Sequence, residues 1–418
     1  MEYGDLRSCA TPAFAPALAS VPPGVASLYG AAAPFGSPEF ARRDAADIAP
    51  PSLRCPEAPI PGWRDAGSLW PCQRFSIRVP QRWNGRVVVA GCPGQRTEFA
   101  SDVLFADALL ARGYAYAAGN KGNGDGAALL EPGASLRVDG VRLPRFALPG
   151  GRSVAFWQHA PEHVMERWPH ELVALLDRAN EALSRVHGRP AELAYAVGLS
   201  NGGYQVRRAI EQSARFDGAL TWNAVLWTRE HNPLDSLVEA IAAFESRDMQ
   251  RAVDAGFPPD LESASGAATL YQKNAAAYWY VTLWLHATLL DPSTSIAYGD
   301  VRDPEPAESW CARIGSWRSS PAVAARIQGF ANTGAVECKT IDVASAYDHL
   351  IPPNVHFAPY CRLVEAAGRS TRYRARLLPY AQHVDAWSED PEYPQLRPGH
   401  GAVMEAWDEL VDWVEGRG

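Results

Sequence analysis

A glycine-flanked serine between a predicted strand and a predicted helix restricts the fold of this chain more than any other feature. The pattern G-x-S-x-G occupies residues 198–202, after the apolar run 193–197 and before a helical pattern over 201–214. Side chains in place of the two glycines would collide with the neighbouring backbone at so sharp a turn. The turn would present Ser200 at a helix N-terminus, where the helix dipole favours negative charge. Ser200 is therefore the candidate nucleophile, and the alternative is a glycine-rich turn that merely contains serine.

The sequence around this turn alternates between strand and helix patterns. Short apolar runs at residues 86–90 and 114–118 lie on either side of a helical pattern at 101–112. A longer amphipathic helix is predicted over 168–187, and a glycine ends it. Strand, helix and strand at these lengths are typical of parallel βαβ units. We therefore predict an α/β fold with a mostly parallel central sheet flanked by helices.

The alternation divides the chain into three predicted segments. Residues 227–335 show helical patterns and proline-rich joints without clear strands, which indicates a helical cap or lid inserted into the fold. Residues 71–226 and 336–418 are then the α/β core. Residues 1–70 are predicted to be an irregular arm, because much of this segment is rich in alanine and proline with little periodicity. A length of 418 residues suits one large domain with such an insertion.

An acid and a histidine follow later strands in the chain order that a Ser-acid-His triad takes on this kind of sheet. Asp348 comes just after a predicted strand, where a loop can present its carboxylate; its rival Asp342 lies inside the apolar strand run. His383 follows the last predicted strand, whereas its rival His400 stands next to the closing helix. Strand-end placement favours Asp348 as the orienting acid and His383 as the general base.

Two backbone amides are the candidate donors to a developing oxyanion. The first is the N–H of Asn201, the residue after the nucleophile. The second should come from the loop after the 86–90 strand, where Cys92 is favoured because Pro93 has no N–H to donate. Gln95 is the alternative second donor, and a plain turn without this role is the structural alternative.

Charge and hydropathy argue against two classes of protein, nucleic-acid-binding proteins and proteins with membrane-spanning helices. The net charge of −8 disfavours a nucleic-acid-binding protein, which must neutralise phosphates. No stretch reaches the roughly 18 apolar residues that span a membrane.

The first residues show no basic segment followed by an apolar core, so no signal peptide is visible. We favour a secreted or periplasmic location with the leader absent from this chain, and a cytoplasmic location is the alternative.

Cysteines and histidines give little support to a metal site. The seven cysteines contain no C-x-x-C pair, although Cys55 with Cys72, or Cys311 with Cys338, could close loops in an oxidising compartment. An H-x-x-E-H string at residues 159–163 resembles a zinc-protease motif, but a proline interrupts the helix that this motif requires. We therefore expect neither a metal nor another cofactor.

Three local patterns resemble the α/β-hydrolase superfamily, over roughly residues 70–418. They are residues 198–203, Asp-His-Leu-Ile-Pro-Pro at 348–353 and Gln-His-Val-Asp-Ala at 382–386. The likeness is strongest to the 3-hydroxybutyrate oligomer hydrolases and more distant to the tannase and feruloyl esterase group. Tannase-like enzymes carry cysteine beside the catalytic serine and histidine, whereas this chain has Leu199 and Val384 there.

The resemblance implies a serine esterase that cleaves short hydroxyalkanoate oligoesters through an acyl-enzyme, without a cofactor. The alternatives are an aromatic or polyester esterase of the tannase type, and an inactive member of the fold that only binds. Such oligomers end in a carboxylate, which a local cation would attract. Lys121 follows the strand at 114–118, so it is the candidate cation, and a solvated loop charge is the alternative.

Overall fold

The computed structural model describes residues 1–10, 48–70, 73–94, 97–121, 127–130, 137–138, 141–142, 145–147, 153–156, 165–274, 279, 283, 290 and 319–417. Nine strands in these ranges form the central sheet: β1 (Glu2–Asp5), β2 (Pro61–Trp70), β3 (Gln73–Pro80), β4 (Arg86–Gly91), β5 (Ala115–Gly119), β6 (Leu193–Leu199), β7 (Gly218–Trp222), β8 (Lys339–Ser345) and β9 (Tyr373–Leu378). Their spatial order is β1-β2-β3-β5-β4-β6-β7-β8-β9.

The pairing directions confirm a mostly parallel α/β fold. The strands from β5 through β4, β6, β7 and β8 to β9 are parallel to their neighbours. In the central sheet, only the three described pairings at the β1 edge, between β1 and β2, β2 and β3, and β3 and β5, are antiparallel. The carboxyl ends of the parallel strands therefore meet at one edge of the sheet, where ligands usually bind in such folds.

Helices connect and cover these strands. The longer ones are α1 (Trp168–His187), α2 (Asn201–Gln212), α3 (Pro233–Ser246), α4 (Pro321–Phe330), α5 (Ala358–Ala366) and α6 (His400–Glu415). Shorter helical segments are Asp102–Ala106, Asp107–Ala111, Met165–Arg167, Met249–Asp254, Leu270–Asn274, Pro353–His356, Ser370–Arg372 and Asp385–Trp387. Five short strands outside the central sheet form two small sheets: Ala127–Leu130, Arg137–Val138, Val141–Arg142, Arg145–Ala147 and Ser153–Phe156.

Burial of both sheet faces explains why the central strands read as continuous apolar runs. Val87 and Val89 of β4 pack in one cluster with the apolar face of α1. Val88, one residue away, packs in a second cluster that includes the apolar face of α6. Successive side chains of a strand point to opposite faces, so a strand covered on both sides needs apolar residues at every position.

The N-terminal segment departs from the prediction of an irregular arm over residues 1–70. β1 and β2 belong to the central sheet, and β2 pairs with β3 along nearly its whole length. One of the buried positions of β2 is Arg64, which is 5% exposed and donates to the backbone oxygen of Ala10. A charge at an inward position removes the apolar alternation by which a strand is recognised.

The regular elements described in the predicted cap segment, 227–335, are helices, apart from one bridge between Glu262 and Thr269. Its apolar residues share a cluster with Leu350 and Ile351, next to the candidate acid. The division into core and cap stays a prediction. Among the described residues, no helix is both long and apolar enough to cross a membrane.

Two thiols lie against each other near the N-terminus. Sγ of Cys9 is 2.7 Å from Sγ of Cys55, and both thiols are free. This contact gives Cys55 a different partner from the Cys72 suggested by sequence, and Cys72 and Cys311 lie outside the described residues. A disulfide needs its sulfurs about 2.05 Å apart, so oxidation requires only a small closure.

We expect mild oxidation to join Cys9 to Cys55. Since this cross-link would restrict the unfolded chain, the oxidised protein should unfold several degrees higher than the reduced one. Peptide mapping under non-reducing conditions should recover the linked pair, and Cys9→Ser should remove the dependence of the midpoint on reductant. Cys361→Ser, at a partly buried thiol elsewhere, is the control. Free thiols at both positions after oxidation would contradict the expectation.

Candidate active site

Ser200 occupies the sharp turn between β6 and α2. Its backbone has φ 59° and ψ −124°, a conformation that costs a non-glycine residue on the order of 1–3 kcal/mol. Hydrogen bonds hold it there: its N–H donates to the oxygen of Trp222 at 2.9 Å, and its oxygen accepts from Tyr204 and Val225 at 3.0 and 3.2 Å. The strain is therefore maintained by the adjoining strand end and by the helix itself.

Glycines let the helix approach the sheet closely enough to form this turn. A Cβ on Gly198 would overlap the backbone of Gly202, and a Cβ on Gly202 would overlap the backbone of Gly91. Gly91 is the last residue of β4, so three backbones meet at this point. The G-x-S-x-G pattern thus has the steric cause expected from the sequence.

Asp348 and His383 form a buried pair at the ends of β8 and β9. Oδ2 of Asp348 lies 2.7 Å from Nδ1 of His383. Oδ1 of Asp348 accepts backbone N–H groups from Leu350 at 2.9 Å and Ile351 at 2.7 Å. A carboxylate with these partners accepts the proton on Nδ1, which leaves Nε2 of His383 as the basic nitrogen.

The exposed fractions of the three side chains suit their predicted roles. Asp348 is completely buried, whereas His383 and Ser200 keep 4% and 7% of their surface accessible. A nucleophile and a base must meet the substrate, but an orienting acid need not. Within the described chain no hydrogen bond joins Ser200 Oγ to His383. The distance between a catalytic serine and its histidine is often longer in free enzymes than in complexes with substrate.

Asn223 links the loop that carries His383 to the strand end next to the serine turn, a role that the sequence patterns do not indicate. It follows Trp222 directly and has φ 46°, in the left-handed region that asparagine tolerates better than most residues. Its N–H donates to Val343 at 2.8 Å, and its Nδ2 donates to the backbone oxygens of His383 at 2.9 Å and Gln382 at 3.2 Å. The available signal is an asparagine inside the mostly apolar run 219–226.

The rival acid has a structural environment. Asp342 is fully buried within β8 and accepts from Arg207 at 2.5 Å, from Oγ1 of Thr221 at 2.7 Å and from the hydroxyl of Tyr373 at 2.7 Å. These partners occupy both of its carboxylate oxygens.

The rival histidine also has partners of its own. His400 begins α6, and its Nε2 lies 2.8 Å from the backbone oxygen of Leu104. Burial lowers the pKa of His400.

The predicted oxyanion donors lie at two neighbouring backbone positions. Asn201 is the first residue of α2, behind the serine. Cys92 follows β4, and its N–H donates to Oε1 of Gln205 at 3.2 Å. Nε2 of Gln205 in turn donates to Glu171 at 2.7 Å. The oxyanion roles of Asn201 and Cys92 stay predictions, and Gln95 lies outside the described residues.

Lys121 lies beneath this loop and is almost fully enclosed. Only 2% of its surface is exposed, and its Nζ donates to the backbone oxygens of Cys92 at 2.5 Å and Gly94 at 2.6 Å. The ammonium group also lies 4.6 Å from the ring centre of Trp168. Burial lowers the pKa of Lys121. A contact with a substrate carboxylate stays a prediction, and these bonds give the same group a second candidate role in holding the loop.

Metal ligands are not assembled in the described chain. No three His, Cys, Asp or Glu side chains come together there as a metal site. The H-x-x-E-H string at residues 159–163 lies outside the described residues.

The strand order and the loops that carry the serine, the acid and the histidine are those of the α/β-hydrolase fold. No protein-family model and no curated protein sequence matches the chain. Similar solved structures include feruloyl esterase B from Aspergillus oryzae, at 12% identity and TM-score 0.49, covering 89% of this chain and 86% of that one. Tannin acyl hydrolase from Aspergillus niger has 13% identity and TM-score 0.46, covering 96% and 89%.

Replacing the serine tests the candidate nucleophile. Ser200→Ala should lower kcat for an ester substrate roughly 10⁴–10⁶-fold, because the group that attacks the carbonyl is lost. Its thermal midpoint should stay near that of the unchanged protein, since the turn is held by backbone bonds. More than a tenth of the original activity in the purified variant would indicate another nucleophile.

Two histidine variants distinguish the base from its rival. His383→Ala should be nearly as damaging as Ser200→Ala, because residues that act as a unit have non-additive effects. His400→Ala should change kcat only slightly, since its ring contacts the backbone of Leu104. Steady-state kinetics on both variants, with the folded fraction checked by circular dichroism, gives the comparison. The reverse ranking would move the base to His400.

Proposed function

We propose that this chain is a serine ester hydrolase that acts on short hydroxyalkanoate oligoesters of the 3-hydroxybutyrate type. The main support is the arrangement of three residues, Ser200, Asp348 and His383, at the carboxyl edge of the sheet. Ser200 is held at φ 59° ahead of a helix, and a buried Asp348–His383 pair at 2.7 Å follows strands of the same sheet. A strained serine and a histidine whose tautomer a carboxylate fixes are the groups that acyl transfer requires.

The reaction follows from these roles. Nε2 of His383 takes the proton from Ser200 Oγ as that oxygen attacks the ester carbonyl, and Asp348 stabilises the resulting imidazolium. The N–H groups of Asn201 and Cys92 would donate to the oxyanion, with Cys92 turning from Gln205 to the substrate. His383 then protonates the leaving alcohol. Water, activated by the same histidine, hydrolyses the acyl-enzyme and restores Ser200.

The choice of substrate rests on local sequence. The patterns at residues 348–353 and 382–386 are the ones that resemble hydroxybutyrate oligomer hydrolases. The tannase-type alternative is less well supported, because this chain lacks the two cysteines of tannase-like enzymes. Leu199 and Val384 stand at those positions and are buried in the apolar core. Aromatic esters are therefore the second candidate substrate class.

Two assays separate the proposal from its alternatives. A fluorophosphonate probe should label Ser200, and p-nitrophenyl butyrate should be hydrolysed, with both lost in Ser200→Ala. The linear 3-hydroxybutyrate trimer should then have a higher kcat/KM than methyl ferulate or methyl gallate. A preference for the aromatic esters would favour the tannase-type alternative. If the protein shows no labelling and no turnover, the inactive, binding-only fold would be favoured.

Lys121 has two competing roles, and they predict different kinetics. If its ammonium group binds the free carboxylate of the substrate, Lys121→Met should raise KM for the 3-hydroxybutyrate dimer but not for the methyl ester of that dimer. If it holds the loop through Cys92 and Gly94, kcat should fall about equally for acid and ester. The second pattern is expected, because the group is 2% exposed. An effect confined to the acid would restore the carboxylate contact.

A further inference from the structure

We propose that His349 and Gln382 form a brace that positions the candidate acid and base, and that His349 also ties this brace to the 227–335 segment. The two are positioning residues, since neither would touch the substrate. The proposal rests on the proposed function, because it concerns the same site. It assigns a role to two buried polar side chains that the triad itself does not use.

The brace is a direct bond between the two loops that carry the triad. Nε2 of Gln382 lies 2.7 Å from Nδ1 of His349. His349 directly follows Asp348, and Gln382 directly precedes His383. The bond therefore runs beside the Asp348–His383 bond and joins the same two loops a second time. His349 is fully buried and Gln382 is 1% exposed, so water does not compete for these atoms.

The chemistry of the partners fixes the tautomer of His349. An amide nitrogen can only donate, so Nδ1 of His349 must accept from Gln382. Nε2 then carries the proton and donates to the backbone oxygen of Pro259 at 3.0 Å. A neutral ring suits both bonds, and burial, which lowers the pKa of His349, keeps it neutral.

Residues of the 227–335 segment surround the same histidine. Nε1 of Trp279 donates to the backbone oxygen of His349 at 2.6 Å. The ring of Tyr271 packs edge-on against the imidazole, with centres 5.2 Å apart, and its hydroxyl donates to Pro258 at 2.6 Å. The imidazole thus contacts the predicted cap on one side and the base loop on the other.

This arrangement matters for catalysis because the Asp348–His383 bond depends on the separation of two loops. Loops are less rigid than strands, and a misplacement of about 1 Å in a catalytic group can lower a rate roughly 100-fold. Residues that orient catalytic side chains through hydrogen bonds typically contribute 10–100-fold when removed, as seen for the outer partners of metal ligands. An effect of similar size is expected here.

Variants of His349 separate its two bonds. In His349→Asn, the amide oxygen can replace Nδ1 as the acceptor for Gln382. In His349→Gln, the amide nitrogen can replace Nε2 as the donor to Pro259, but the acceptor is lost. If the brace positions the triad, His349→Gln and Gln382→Met should each lower kcat about 10–100-fold with KM within about twofold. His349→Asn should keep most of kcat. The double variant with both His349→Gln and Gln382→Met should have a kcat little lower than that of either single variant.

A matched control removes the general cost of losing a buried histidine. His356 is also buried, and its Nδ1 accepts the N–H of Leu226 at 3.1 Å, so this ring does not bond the acid loop to the base loop. His356→Gln should lower the thermal midpoint without lowering kcat per folded molecule. If His349→Gln and Gln382→Met also leave kcat unchanged, or change KM alone, the brace has no positioning role.

A spectroscopic readout keeps the test independent of activity. The proton on Nδ1 of His383, bonded to Asp348, should give a low-field resonance in the free protein. That resonance should weaken or broaden in Gln382→Met and stay in His356→Gln. If the unchanged protein takes no fluorophosphonate label but shows this pattern, the brace stands and the proposed function fails. An unchanged resonance in folded Gln382→Met would overturn the brace.

Discussion

The close approach of three glycine backbones is the constraint on which the rest of the site depends. Gly91 ends β4, Gly198 lies near the end of β6 and Gly202 lies in the first turn of α2, with no room for a Cβ between them. Because the helix begins so close to the sheet, Ser200 must turn through the left-handed region. The strain falls on the one residue that would react, which is common at functional sites.

Beneath the turn lies a buried polar network instead of an apolar floor. Gln205 joins Cys92 to Glu171, and Glu171 also accepts the backbone N–H of Lys121 at 3.1 Å. Burial raises the pKa of Glu171 to about 7, since desolvation disfavours its charged form. Removing charged groups from water is costly unless they are hydrogen-bonded, and these hydrogen bonds link the loop after β4 to α1 and α2.

Sequence patterns were informative where one element determines its own structure. The run before the serine is β6, the predicted helix at 168–187 is α1, and the mostly parallel sheet follows from the alternation of such elements. β2 has no apolar alternation of its own, because Arg64 is one of its buried residues, and its pairing with β3 is what identifies it as a strand. A strand of that kind is recognisable only when its partner is known.

The sequence by itself determined the strained turn and the order of the candidate residues, because both depend on local sterics and on residue type at strand ends. It named Ser200, Asp348 and His383 but gave no distance between them. Only the tertiary structure decided that Asp348 is hydrogen-bonded to His383, while Asp342 forms an ion pair with Arg207. The tertiary structure alone also enclosed Lys121 and joined His349 to Gln382. These contacts link residues far apart in the chain, and their geometry is set by how strands, helices and loops pack, which no local pattern records.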